Sequence, residues 1–316
     1  MALSQLTIVS PTNAIQKIAL SYEVFGPALG TAPVVVVNHA LTGNSNVAGL
    51  NGWWTDLIGE CKTINTQKFT VLAFNIPGNG YDNEPKNLVV NLKNFTTQTI
   101  ARYYWTALTA LEVKQVYAVI GGSLGGAIAW EMAFLEPNRI QHLIPIATNY
   151  KASDWLIGNV FIQESILNNS KQPIQDARKH AMFLYRCPAG INAKFKGDFL
   201  ADKNEYKVEN WLRFHGESLQ NRFKLAAYKA MNHLLKTIGA SKQESDLKSW
   251  AQTFTGKIQL IAVDSDLMFT EAEQNQTFQT IRSFSKSEFA TIHSIHGHDA
   301  FLIEFEQITK IIKKYF

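Results

Sequence analysis

At 316 residues and 46% hydrophobic, with a formal charge of +4, the chain is long enough to bury a large core and reads as one α/β domain carrying an insertion. Its lysines and arginines are scattered, which leaves nucleic acid without a footprint, and no run approaches the about eighteen apolar residues of a membrane span. Cys61 and Cys187 fit neither a disulfide framework nor a metal knuckle, and Met1–Ile8 lacks the segments of a secretory leader, so a soluble, reducing, cytoplasmic setting is expected.

Leu6–Ser10 and Ile18–Phe25 read as two strands joined by a Pro11-Thr12-Asn13 turn, an antiparallel pair at a sheet edge. Pro33–His39 is an unbroken apolar run of the kind found in a strand covered on both faces. It ends in His39-Ala40-Leu41-Thr42-Gly43, a first crossover loop of the sort that supplies one amide of an oxyanion hole; Leu41 is the candidate. His39 is read as loop-shaping, and Trp53 and Trp54 as packing. Val71–Ile76 is another buried strand, followed by the turn-rich loop Pro77–Pro85, and Thr97–Leu111 has helical spacing.

The next stretch carries the chemistry. Val116–Ile120 is apolar and β-prone, Gly126–Ala133 is spaced as a helix, and Gly121-Gly122-Ser123-Leu124-Gly125 between them matches a nucleophile elbow. A passenger serine in a glycine-rich turn would give the same five residues, so the weight falls on the flanking strand and helix and on distant partners. Ser123 is the candidate nucleophile, and the Leu124 amide the second oxyanion donor. Fixed amides need no reorientation as charge develops, which is why each can contribute about 3 to 4 kcal/mol. Ile140–Ala147 supplies a further strand, and the alternation to this point predicts a parallel, doubly wound sheet.

From about residue 149 to 250 that alternation stops. Lys171–Tyr185, Glu209–Phe214 and Leu219–Ile238 have helical period and no strong strand intervenes, which predicts an inserted helical cap between core segments 1–148 and 251–316. Arg178 and Tyr185, seven apart, share a helix face. Taken alone, such an arginine reads as a surface ion pair, with a two-pronged grip on a carboxylate as the alternative. Strand character returns at Lys257–Asp266, after the serine and before a late histidine, in the chain order of a Ser-Asp-His triad. Asp264 and Asp266 compete for the acid. Ala290–Ile295 reads as the last strand, His298 on the loop beyond Gly297 as the general base, and Phe301–Tyr315 as a closing helix. His293, His296 and His298 crowd together without the spacing or cysteine partner of a zinc site.

The motifs His39-Ala-Leu-Thr-Gly43, Gly52-Trp-Trp54, Gly121-Gly-Ser-Leu-Gly-Gly126, Ala177-Arg178 with Tyr185, Ser265-Asp266 with Phe269, and Gly297-His-Asp-Ala-Phe-Leu302 together resemble the homoserine O-acetyltransferase branch of the α/β-hydrolase fold. The loop Asn75–Pro85 departs from that family's usual Ser-Thr-Gly-Pro segment. The resemblance implies a Ser123–His298–Asp266 triad, with Leu41 and Leu124 as oxyanion amides. It also implies that Arg178, Tyr185 and Asp299 hold an amino-acid acceptor, Arg178 at its carboxylate and Asp299 near its ammonium, in a homodimer joined through the cap. The implied reaction moves an acetyl group from acetyl-CoA to the hydroxyl of L-homoserine through an acyl-serine, a step of methionine biosynthesis, with acetyl-CoA as co-substrate and neither metal nor redox cofactor. A serine esterase or thioesterase, or a transferase using succinyl-CoA or another hydroxy amino acid, would use the same triad. A purely binding protein would not need it.

Overall fold

The computed structural model describes residues 3–11 and 13–316. One eight-stranded sheet runs through the molecule: β1 (Ser4–Ser10), β2 (Asn13–Phe25), β3 (Val34–Asn38), β4 (Thr70–Phe74), β5 (Val116–Gly122), β6 (Ile140–Ile146), β7 (Lys257–Val263) and β8 (Lys286–Ile292). Their order is β1-β2-β4-β3-β5-β6-β7-β8. β4, β3, β5, β6, β7 and β8 run parallel to one another, β2 pairs antiparallel with β4, and β1 and β2 form the expected antiparallel edge. The turn expected at Pro11-Thr12-Asn13 lies partly outside the described residues, at Thr12.

The apolar runs build a sheet covered on both faces. In β3, Val34 and Val36 join one hydrophobic cluster and Val35 and Val37 the other, because successive side chains of a strand point to opposite sides. Helices α1 (Thr97–Ala110), α2 (Leu124–Leu135), α8 (Glu244–Thr253) and α9 (Glu271–Ile281) feed the first cluster. The second takes Ile308 and Ile312 of α10 (Phe305–Ile312) and Trp54. Among the described residues no helix is long and apolar enough to cross a membrane.

Between β6 and β7, ahead of α8, five helices stand where the inserted cap is expected: α3 (Asp154–Asn169), α4 (Pro173–Tyr185), α5 (Pro188–Phe195), α6 (Lys207–Arg222) and α7 (Leu225–Lys236). α4 packs on α6 and α3, and α3 on α7. Leu156, Val160, Leu219 and Met231 of the cap belong to the same cluster as the sheet residues, so cap and core share one interior.

Four expectations are corrected. The helix expected over Leu219–Ile238 is two, because Phe223 and Lys224 take extended backbone angles between α6 and α7. Phe199–Leu200 and Glu205–Tyr206 pair as a small hairpin where no strand was expected. The last strand is Lys286–Ile292 rather than Ala290–Ile295, since Ser294 turns its amide to Asp264. The closing helix is a 3-10 turn (Gly297–Leu302) followed by α10, separated where Ile303 and Glu304 both donate to the Ala300 carbonyl.

Gly125 lets the elbow close. A Cβ there would stand 2.2 Å from the Asn38 carbonyl oxygen at the end of β3, which is backbone and cannot swing aside. Gly125→Ala is therefore expected to destabilise the fold by about 1 to 3 kcal/mol, seen as a lower urea midpoint with an unchanged slope.

Candidate active site

Strand β5 runs straight into α2 through Ser123, which is held at φ 57° and ψ −128°. A non-glycine residue there is strained, and the interlocked strand and helix hold it in place. The turn lifts the hydroxyl to the sheet's carboxyl edge, where Ser123 Oγ lies 2.8 Å from His298 Nε2 and His298 Nδ1 lies 2.7 Å from Asp266 Oδ2. All three side chains are buried. With Nδ1–H donating to the carboxylate, Nε2 carries the lone pair that accepts the serine proton.

Each member is fixed from behind. Asp266 Oδ1 accepts the amides of Met268 and Phe269 at 2.7 and 2.9 Å. Asp264, the other aspartate, is exposed and accepts from Ser294 N, with His293 Nδ1 3.0 Å away. Gly297 places His298: at φ +66° it lies against the backbone of Tyr185, Arg186 and Cys187, so the turn bearing the histidine packs tightly under the cap. Phe269, Phe301 and Tyr185 surround the imidazole, with ring centroids 5.6, 5.6 and 5.9 Å from it. Burial opposes charge on His298, but the Asp266 carboxylate, by proximity and hydrogen bond, and Asp299 more than offset it, leaving the histidine's pKa above its ordinary value.

Leu41 and Leu124 bracket the serine. Leu124 opens α2, so its amide is one that a helix leaves unpaired. Leu41 lines the cleft with Ser123 and His298. Among the described residues neither amide donates to another protein group. The Leu41 loop rests on a buried polar network: Asn75 accepts the Ser45 amide and donates to the Ser45 and Ser21 hydroxyls, and Ser45 donates to Glu23. His39 belongs to this support. Its Nε2 accepts the Ile76 amide, its Nδ1 meets the Ala40 carbonyl, and burial lowers its pKa to about 4. Trp54, fully buried, donates its indole N–H to the Phe301 carbonyl under the histidine turn. Both readings of these residues as shaping and packing groups agree with this geometry.

The cleft above the serine, about 70 Å³, is lined by Ala40, Leu41, Thr42, Arg178, Tyr185 and Asp299 among others. The Arg178 guanidinium carbon sits 5.2 Å from the Tyr185 ring centre, and its Nε is buried without a partner among the described residues. Asp299 differs from expectation in having a neighbour of its own: Arg186 Nε approaches Asp299 Oδ2 to 3.0 Å, an ion-pair contact whose angle does not make a hydrogen bond. Burial raises the Asp299 pKa even though Arg186 and Arg178 pull it down. Three further residues that sequence reasoning did not assign to the site approach it. Tyr228 of α7, electrostatically coupled to Tyr185 and Arg178, has a buried hydroxyl with no partner among the described residues. Arg222, the last residue of α6, donates to the Thr42 carbonyl at 2.9 Å and so ties the cap to the Leu41 loop. Arg186 borders the mouth. No local pattern marks these three; only the fold of the cap brings them in. Among the described residues no group of three His, Cys, Asp or Glu side chains is gathered to hold a metal.

A sequence profile described as the alpha/beta hydrolase fold matches residues 33–302. The homoserine O-acetyltransferase of Cyclobacterium marinum is 29% identical over 303 residues, covering 90% of this chain and 84% of the relative. That of Chloroherpeton thalassium is 29% identical, covering 88% and 78%. Among solved structures, esterase E22 superposes with a TM-score of 0.85 at 14% identity over 99% of this chain and 98% of its own. A homoserine O-acetyltransferase from Bacillus anthracis gives 0.85 at 16% identity, over 99% and 96%. At such identities these structures share the fold, and the fold carries both hydrolysis and transfer.

Proposed function

Because the chain belongs to the alpha/beta hydrolase fold family and resembles its homoserine O-acetyltransferase members, we propose that it moves an acetyl group from acetyl-CoA to L-homoserine through an acetylated Ser123. The observation carrying this reading is the Ser123–His298–Asp266 relay beneath a cap that sets Arg178 over the same cleft.

His298 takes the Ser123 proton as Oγ attacks the thioester carbonyl. The Leu41 and Leu124 amides bind the resulting oxyanion, and coenzyme A leaves as the thiol on receiving that proton. The homoserine hydroxyl then gives its proton to His298 and attacks the acetyl carbon, restoring free serine and releasing O-acetylhomoserine. Transfer beats hydrolysis only if the acceptor is held close and water kept scarce. Arg178 and the Tyr185 and Tyr228 hydroxyls supply donors for a carboxylate, Asp299 an acceptor for an ammonium, and the buried site limits water. The reaction would serve methionine biosynthesis in the cytoplasm.

Incubation with acetyl-CoA, with and without homoserine, tests the proposal. It calls for O-acetylhomoserine as the main product; release of acetate at the same rate whether or not homoserine is present would instead mark a thioesterase. Arg178→Gln is expected to raise the KM for homoserine about 10- to 100-fold while Ser123 acetylation stays measurable, because a buried charge-assisted contact contributes about 1.5 to 3 kcal/mol. Equal losses in both half-reactions would remove that role.

We further propose a homodimer joined through the cap. Its basis is α3, which leaves Trp155, Ile157, Phe161 and Ile162 exposed, with Phe161 67% accessible. Sedimentation at micromolar concentration should give a dimer, and Phe161→Asp a monomer; a monomeric wild type would dismiss it.

A further inference from the structure

A second cavity opens beside the catalytic cleft, about 310 Å³ in volume, between α5, α6 and the turn that carries His298. Arg186, Lys194, Trp211, Ile295 and His296 line it. Arg186 joins the two spaces, since its Nε faces Asp299 at the mouth of the cleft while its side chain borders the cavity. We infer that this cavity receives the phosphate-bearing nucleotide end of the acyl donor while the thioester reaches Ser123 through the adjoining cleft. The inference rests on the acyl-CoA reading above and says where on this chain the donor's charge is held.

The cavity is rich in positive charge. Among the described residues no carboxylate lines the cavity, and Asp299, the acid at its edge, already faces Arg186. Cations accumulate instead. His215 is held down to about 4 by burial and by Arg178, Arg186 and Lys194, and Lys194 is lowered by partial desolvation and by Arg186. Beyond the Arg186–Asp299 contact, like charges gathered in this way repel one another, and an arriving polyanion relieves that repulsion while gaining charge-assisted hydrogen bonds.

One wall of the cavity is aromatic. Trp211 packs against Phe195 and His215, with ring centroids 5.4 and 4.5 Å away, so its plane is fixed. Lys194 Nζ lies 4.9 Å from the Trp211 ring centre. A flat indole beside cations suits a ligand combining a nucleobase with phosphates, because a base stacks on an aromatic face whatever its hydrogen-bonding edge. A simple inorganic anion makes no use of the indole.

Calorimetric titration with adenosine 3′,5′-bisphosphate, which carries the nucleotide end of coenzyme A and no thioester, tests the site without any turnover. Binding to the wild type is expected, weakened about 5- to 20-fold in Lys194→Gln and within roughly twofold of wild type in Lys194→Arg. Lys194 is exposed, so its replacement leaves packing intact. Equal affinity in wild type and Lys194→Gln, no binding by the wild type at millimolar nucleotide, or inorganic phosphate binding as tightly as the nucleotide would each overturn the inference. Absence of acetyl-Ser123 after exposure to acetyl-CoA is a separate result that strikes the proposed reaction, so the two failures are told apart.

Discussion

Ser123→Ala is expected to lower acetyl transfer by at least about 10⁴-fold and to abolish the covalent intermediate, with the fold retained. Among the described residues the hydroxyl is the only nucleophile hydrogen-bonded to His298 Nε2, so its loss removes the route rather than slowing it. What persists is the part of catalysis that needs no serine, namely the two oxyanion amides and the holding of substrate. Stability should change little, because alanine meets the same φ of 57° that serine already tolerates. Stopped assays of coenzyme A release together with a urea titration check both halves. Retention of more than a tenth of wild-type activity would point to another nucleophile.

Asp266→Asn is expected to cost about 10³- to 10⁴-fold in kcat while substrate KM values change little. The Asp266 carboxylate accepts two amides through Oδ1 and meets the imidazole through Oδ2, so an amide of the same shape keeps the packing but cannot favour the imidazolium that forms in transfer. The pH profile gives an independent reading. His298 must be neutral to act as base, so activity should rise with pH through its folded pKa. That value lies above the ordinary 6.5, because the Asp266 and Asp299 carboxylates outweigh burial. Removing the Asp266 charge leaves burial, the largest influence, opposed only by the weaker pull of Asp299, so the pKa falls. The acid limb of kcat/KM should therefore move to lower pH in Asp266→Asn even as the plateau falls, and a limb that stays in place would mean the limb belongs to another group.

The central strands β3, β4, β5, β6 and β7 were legible because each is a short, mostly apolar run, whereas β8, with its polar, half-exposed residues, was misplaced; the elbow after β5 was legible because only small residues permit the approach seen at Gly125. Asp264 and Asp266 could not be separated by position, as both follow the end of β7; the distinction is that Asp266 turns inward to three partners and Asp264 stays at the surface. The cap was harder to read. α3 exposes Trp155, Phe161 and Ile162 while burying Leu156 and Val160, so its apolar residues blur the helical period. The break at Phe223–Lys224 carries no glycine or proline to announce it. Arg186, Arg222 and Tyr228 reach the site from three different elements, a convergence that sequence spacing cannot encode.

The acyl-serine is the centre of this account, and rapid-quench mass spectrometry after brief exposure to acetyl-CoA without acceptor tests it most directly. The predicted result is one added acetyl group on the peptide containing Ser123, discharged when homoserine is supplied and never formed in Ser123→Ala. Coenzyme A release in step with O-acetylhomoserine formation, with no acetylated peptide at any quench time and no burst of free thiol, would contradict it and indicate direct transfer between the two substrates.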